Sequence, residues 1–245
     1  PDSYWQLLSE GRDAVREVPA DRWDADAAGV DPGSPEGRAA RWGAFLDGVG
    51  EFDAAFFGIS PAEARHLDPQ HRLLLEVAWE ALEDAGIAAD RLAGSRTGVF
   101  VGIYNNDYLQ LAMEGAPEIS PHLATGNAIG FAPGRLSFLL DLAGPRLVVD
   151  TLCSSSLVAV HLACESLRSG ECDLAIAGGV NLMLSPFPTI ATAKLLARAP
   201  DGRAKPFDAR ANGFVRGEGA GVVVLRRSGD ARAAREPFRA RCAET

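Results

Sequence analysis

Apolar residues fall into strand-like runs and helix-like stripes that alternate along the chain. Residues 97–103 (TGVFVGI), the run Leu147-Val148-Val149 within 146–151, Leu174 to Ala177, and 220–227 around GVVVL read as strands. Between them the spacing becomes helical. Leu157, Val160, His161, Cys164 and Leu167 recur on one stripe over 154–169, and Gly170 closes it. Residues 68–86 form a second helix, apolar on more than one face and so predicted to be buried. Residues 127–140 form a third, with a kink at Pro133-Gly134. Ser60-Pro61-Ala62-Glu63 is a capping box, and residues 3–10 form a short helix stopped by Gly11. Residues 18–50 are rich in Pro, Gly and Asp and read as a long surface loop, pinned by Trp23, Trp42, Phe45 and Leu46. Strands alternating with helices predict an α/β class with a mostly parallel sheet and helices on both faces.

Composition narrows the function classes. The chain has 245 residues, 47% of them hydrophobic, enough for a sizeable core. Its net charge is −9 and its pI about 5.0. No basic run points to nucleic acid, and no apolar run reaches membrane-spanning length. The four cysteines, Cys153, Cys164, Cys172 and Cys242, form no CxxC pair and no zinc pattern. They fit a reducing compartment, and a cytoplasmic location is expected.

Cys153 stands where the 146–151 strand ends and the 154–169 helix begins. A helix N-terminus presents partial positive charge and free N–H groups, which favour thiolate over thiol at a cysteine placed there. The same groups can hold an oxyanion. A cysteine in a chain like this is more often a small buried hydrophobe, so position alone does not make it a nucleophile.

The surrounding residues carry more. Asp150-Thr151-Leu152-Cys153-Ser154-Ser155-Ser156-Leu157 and the helix after it resemble the nucleophile segment of β-ketoacyl synthases, most of all the ketosynthase domains of modular type I polyketide synthases. Asp68 to Gly86 (DPQHRLLLEVAWEALEDAG), Phe52 to Ser60 (FDAAFFGIS), Ala177 to Asn181 (AGGVN) and Lys205 to Leu225 (KPFDARANGFVRGEGAGVVVL) are similar to the family in the same order. The resemblance covers about residues 1–225. It implies a thiolase-like fold and divides the chain into 1–227, a partial ketosynthase domain, and 228–245, a divergent Arg- and Ala-rich tail. It implies Cys153 as the acyl-bearing nucleophile, its own N–H as an oxyanion donor, and decarboxylative Claisen condensation as the reaction. A non-condensing acyl-binding domain is the alternative. The phosphopantetheine arm of an acyl carrier protein would bring the substrates, with no cofactor or metal bound directly. The expected partners are that carrier protein, other synthase domains and a second copy in a homodimer.

The same resemblance sets limits. The family's two histidines lie in the second half of its domain, beyond residue 245. The histidines here, His66, His71, His122 and His161, match neither motif. His161 is read as a core or interface residue, and His66 and His71 as surface or packing residues. A strand that precedes Pro1 in the family is placed centrally in its sheet, so a gap is expected there. These residues alone are expected not to form carbon–carbon bonds. Leu152 replaces a small family residue, and either narrows the acyl pocket or packs beneath the turn. Gly178 and Gly179 are expected to allow close backbone packing beside Cys153. Thr125, Gly126 and Asn127 are taken as supports. Gly217-Glu218-Gly219 ends a loop and is no phosphate loop, because no Lys-Ser/Thr follows.

Overall fold

The computed structural model describes residues 2–26, 29, 31–114, 119–234 and 239–242. In chain order the helices are α1 (Asp2–Ser9), α2 (Pro35–Ala40), α3 (Pro61–His66), α4 (Pro69–Asp84), α5 (Asp107–Ala112), α6 (Pro121–Asn127), α7 (Phe131–Leu139), α8 (Ser155–Ser169), α9 (Pro186–Lys194) and α10 (Ser228–Ala233). The strands are β1 (Val15–Glu17), β2 (Trp42–Ala44), β3 (Thr97–Gly102), β4 (Arg146–Val149), β5 (Leu174–Asn181) and β6 (Gly219–Arg226). The chain divides into two compact units, a smaller one of Pro1–Asp47 with Met183–Glu218 and a larger one of Gly48–Leu182 with Gly219–Thr245.

The larger unit is built on a four-stranded sheet of order β4-β3-β5-β6. β3 runs parallel to both β4 and β5, and β6 is antiparallel to β5. The expected central gap is not there. Val101 pairs with Val148 on one side and Gly178 on the other, so β3 carries unbroken ladders on both edges. Alternate residues of each central strand enter opposite cores. Val99, Val101, Leu174 and Ile176 join Leu74, Leu75, Leu82 and Leu136 of α4 and α7. Phe100, Ala175 and Ala177 join Ala159, Ala163 and Leu167 of α8. Burial on both faces explains why β3 reads as a continuous apolar run rather than an alternation.

Several elements differ from the sequence reading. β5 runs through Gly178 and Gly179 instead of stopping before them, because β6 pairs with it as far as Asn181. Residues 127–140 are not one kinked helix. α6 ends at Asn127, and Pro133 lies in the first turn of α7, where its missing N–H costs nothing. The 18–50 stretch is not all loop. It contains α2 and β2, which pairs antiparallel with β1. Trp23 there packs edge-on against Phe45 with centroids 5.9 Å apart.

The smaller unit has its own buried hub. The Glu218 side chain accepts from Leu46 N and Met183 N, each at 2.8 Å, and pairs with Arg22 at 3.3 Å. Its place in GEG suggested only a loop end. The tail from 228 lies partly outside the described residues; α10 opens it, and Arg227 binds Asp173 at 2.6 Å and Asp230 at 2.7 Å.

Asp68 caps α4, accepting from Gln70 N at 2.8 Å while fully buried. Burial pushes its carboxyl up to about 6, against hydrogen bonds from Gln70 that favour the carboxylate. The folded state therefore holds this proton more tightly than the unfolded chain. The ionised form is a cost at neutral pH, and it fades as pH falls through 6 towards the ordinary value of 3.8. Asparagine caps equally well without the charge. Asp68→Asn is expected to stabilise the fold at pH 7 by up to ~3 kcal/mol and to give almost no gain at pH 4. Urea denaturation at both pH values checks this. His71, which burial holds down at about 4, loses stability as pH falls from 6.5 and contributes equally in both proteins.

Candidate active site

β4 delivers the chain to a sharp turn. Thr151 leads into a short 3₁₀ turn, Leu152–Ser154, and α8 starts directly after it. Leu152 has φ +56°, a left-handed conformation that costs a non-glycine residue energy and persists only where the surroundings enforce it. The enforcement is a set of short hydrogen bonds. Leu152 N donates to Asp150 Oδ1 at 3.1 Å. Ser155, buried, accepts from Thr151 N at 2.9 Å and donates to Leu152 O at 2.7 Å, bracing the turn from within. Ser154 Oγ donates towards Thr151 O at 3.0 Å.

Two glycines let the turn sit against the sheet. Gly102, at the end of β3, and Gly179, within β5, are register partners. A Cβ on Gly102 would lie 2.7 Å from Ser156 N and 2.8 Å from the Ser155 carbonyl carbon. One on Gly179 would lie 2.9 Å from Ser156 Cβ. The N-terminus of α8 therefore rests on a floor without side chains. Gly179 meets the expectation made for it. Gly178 instead faces Gly221 of β6, where its Cβ would come within 2.1 Å of the carbonyl oxygen.

The turn presents Cys153 to solvent. Cys172 is fully buried, and Cys164 is half-buried, with its thiol pushed up first by burial and then by the neighbouring Cys242. Leu152 does not pack beneath the turn: it is 67% exposed, beside the cysteine. Among the described residues, no group of three His, Cys, Asp or Glu side chains could hold a metal ion. Nor is any helix among them long and apolar enough to cross a membrane.

A cavity of about 680 Å³ opens off the same carboxyl end of the sheet. Its walls include Tyr104, Leu109, Ile119, Leu123 and Ile129, with Asn105 and Asn127 among them. Open α/β sheets characteristically place ligands at this end. Ile103 N, just before Tyr104, donates to Val149 O at 3.3 Å and ties the cavity wall to the strand that carries the turn. A buried amide network fixes the rest. Gln70 Nε2 donates to Asn105 O at 3.1 Å, Asn105 Nδ2 donates to Leu182 O at 2.8 Å, and Leu182 N donates to Gln70 Oε1 at 3.2 Å. Asn127 Nδ2 donates to His66 O at 2.9 Å and Leu123 O at 2.8 Å, and Thr125 Oγ1 to Pro121 O at 3.2 Å. Gly126 abuts the His66 carbonyl, 2.3 Å from where its Cβ would be. Gly126 and Asn127 seat α6 against the segment joining α3 to α4, while the Thr125 bond lies within α6.

The histidines scatter. His161 is exposed on α8, which removes the core reading. His66 and His122 lie with ring centroids 6.4 Å apart. His71 is buried and held neutral. Sequence reasoning missed Ser155, Gly102 and the Gln70–Asn105 network. Gly102 had a signal, a glycine closing an apolar strand directly before a turn.

Residues 1–231 match the family model described as "Beta-ketoacyl synthase, N-terminal domain". The chain is 56% identical over 232 residues to a phenolphthiocerol/phthiocerol polyketide synthase protein of Mycobacterium tuberculosis, covering 94% of this chain and 13% of that protein. A second phenolphthiocerol/phthiocerol polyketide synthase protein from the same species is 54% identical, with 15% of its length covered. Among solved structures, the ketosynthase from module 6 of the bacillaene synthase of Bacillus subtilis 168 superposes with TM-score 0.86 at 40% identity, over 97% of this chain and 39% of that one. The oxazolomycin ketosynthase domain of Streptomyces albus JA3453 gives 0.85 at 39% identity, over 96% and 42%. The chain thus spans less than half of each of these relatives. With its motifs in family order, its Cys153 turn on a glycine floor and its sheet superposing on solved ketosynthases, the chain belongs to the β-ketoacyl synthase family, as its N-terminal domain with a thiolase-like fold.

Proposed function

We propose that this chain supplies the acyl-accepting half of a polyketide-type ketosynthase, with Cys153 as its nucleophile. The observation that carries the reading is an exposed cysteine on a strained strand-to-helix turn, packed against the side-chain-free strand positions Gly102 and Gly179. The Cys153 thiolate attacks the carbonyl of an acyl thioester carried on phosphopantetheine. The tetrahedral oxyanion forms beside the Cys153 N–H, which bonds to no acceptor among the described residues. Collapse expels the pantetheine thiolate, which takes its proton from solvent, and leaves the acyl chain on Cys153. The acyl chain extends into the cavity walled by Leu109, Leu123 and Ile129. Leu152, exposed beside the cysteine, stands where the incoming acyl chain passes. An extender unit on an acyl carrier protein is then decarboxylated, and its carbanion attacks the acyl-enzyme to give a β-ketoacyl thioester. The ketosynthase part is assigned to residues 1–227, four residues short of the family match at 231, and the tail beyond is given no part in the chemistry. The reading is tested by offering an acyl thioester and looking for a mass increase on the peptide containing Cys153.

The partners follow from the same reading. β4 is an edge strand, with Leu147 46% exposed on it. An apolar edge left open is a hazard for aggregation, and pairing with a second copy about a two-fold axis removes it. Light scattering of the full native polypeptide is expected to give a dimer. A monomer at high concentration that still loads acyl groups would contradict this.

A further inference from the structure

Two of the four cysteines stand together in the larger unit. Cys164 lies in the C-terminal half of α8 and is half-buried, and Cys242 lies in the tail and is exposed. The Cys242 thiol neighbours that of Cys164, within hydrogen-bonding reach. Side-chain bonds from the tail fix this placement at two points. Arg227 Nη1 donates to Leu167 O, one turn past Cys164 on α8, and to Cys172 O, each at 2.8 Å. Arg239 holds Asp84 through two nitrogens, Nε to Oδ2 at 2.8 Å and Nη2 to Oδ1. Cys242 follows three residues later, so it lies no more than about 10 Å of chain beyond that anchor.

The other cysteines do not compete for this partner. Cys172 is fully buried. Cys153 precedes Cys164 by eleven residues, roughly 16 Å along the axis of α8, and a disulfide requires Cα atoms within about 7 Å. Within the pair the two thiols have different access. Cys242 is open to a small reagent, whereas Cys164 is shielded and pushed up first by burial and then by Cys242, against Arg168 one turn on, which favours its thiolate. Once Cys242 is held in a disulfide it carries no charge. The second of those causes then disappears, and Arg168 acts on Cys164 with less opposition.

The geometry points to Cys164 and Cys242 as a redox modification site, at which a small-molecule disulfide such as oxidised glutathione converts the two thiols into a disulfide that clamps the tail onto α8. The Cys242 thiolate attacks one sulfur of oxidised glutathione; a new S–S bond forms, the glutathione S–S bond breaks, and one glutathione thiolate leaves. The Cys164 thiolate then attacks Cys242 Sγ and expels the second glutathione thiolate. Two protons pass from the protein thiols to the two glutathiones, and the two electrons that reduce the glutathione disulfide come from the protein sulfurs. Excess reduced glutathione runs the same steps backwards. The site uses neither Cys153 nor any residue of the acyl cavity.

The test is peptide mapping without reductant, on the full native polypeptide treated with oxidised glutathione, quenched in acid and alkylated. A linked pair of peptides carrying Cys164 and Cys242 is expected, lighter than the two thiol peptides by two hydrogens and separated again by dithiothreitol. This internal disulfide is expected to exceed glutathione bound to Cys242 by at least ~tenfold, because the second thiol is already in place. In Cys164→Ser, glutathione is expected to stay on Cys242. Should that variant misfold, Cys242→Ser removes only an exposed thiol; it is expected to keep the wild-type melting temperature and to yield no linked peptide. The clamp has its own readout: tryptic cleavage at Arg241, exposed beside Cys242, is expected to slow at least ~tenfold in the oxidised wild type and not in Cys242→Ser. Cys242 recovered from the wild type chiefly as the glutathione adduct, as a free thiol, or linked to Cys153 or Cys172 would overturn the proposal.

Discussion

Cys153→Ala is expected to abolish acyl loading from a carrier-bound thioester, lowering its rate by at least ~10³-fold. The expectation rests on exposure and placement. Cys153 opens onto solvent at the start of α8, whereas Cys172 is enclosed and Cys164 is half-buried with its thiol pushed up by burial. Cys242 is exposed, but it lacks a helix N-terminus. The alanine side chain fits wherever cysteine does, so stability is expected to stay within ~1 kcal/mol of wild type. Single-turnover loading and thermal melting on the same preparation separate the two effects. Loss of loading with an unchanged melting temperature is the expected pair of results.

Gly102→Val is expected to damage both fold and site. Its Cβ alone would lie 2.7 and 2.8 Å from backbone atoms of Ser156 and Ser155. Backbone at a helix start braced by Ser155 cannot swing aside as a flexible side chain would. Either β3 or α8 must shift, at about 3 kcal/mol, the upper end of overpacking costs. The turn is also expected to lose the geometry that presents Cys153. Alkylation of Cys153 by iodoacetamide is then expected to slow relative to Cys242, which neighbours Cys164 farther along α8 and away from the turn. An unchanged labelling ratio with unchanged stability would mean that the glycine floor does not hold the turn.

The elbow was legible because two periods meet there. A β-branched run ends at Val149, and a 3.6-residue stripe starts within a few residues, so Cys153 falls at the boundary without reference to the rest of the chain. Strand order was not legible. β5 lies between β3 and β6 because of crossovers, and nothing local records which strands become neighbours. The expected central gap failed for that reason. β1 and β2, three residues each, are too short to show a period. α6 and α9 did carry a signal. Ser120-Pro121 and Ser185-Pro186 repeat the Ser-Pro start that located α3 at Ser60-Pro61, with proline in the first turn each time. The amide network was hidden for a different reason. Gln70, Asn105 and Leu182 are brought together only by folding, and a lone Gln or Asn in sequence does not announce a buried role.

One cysteine of the four is expected to accept the acyl group because of where the fold places it. Incubating the full native polypeptide with a carrier-bound acyl thioester, then alkylating and mapping each cysteine by mass spectrometry, tests this directly. A stable acyl adduct on Cys153 is expected, protecting that thiol from iodoacetamide while Cys242 is alkylated as before. Acylation of Cys164 or Cys242 with Cys153 still open to alkylation would contradict it.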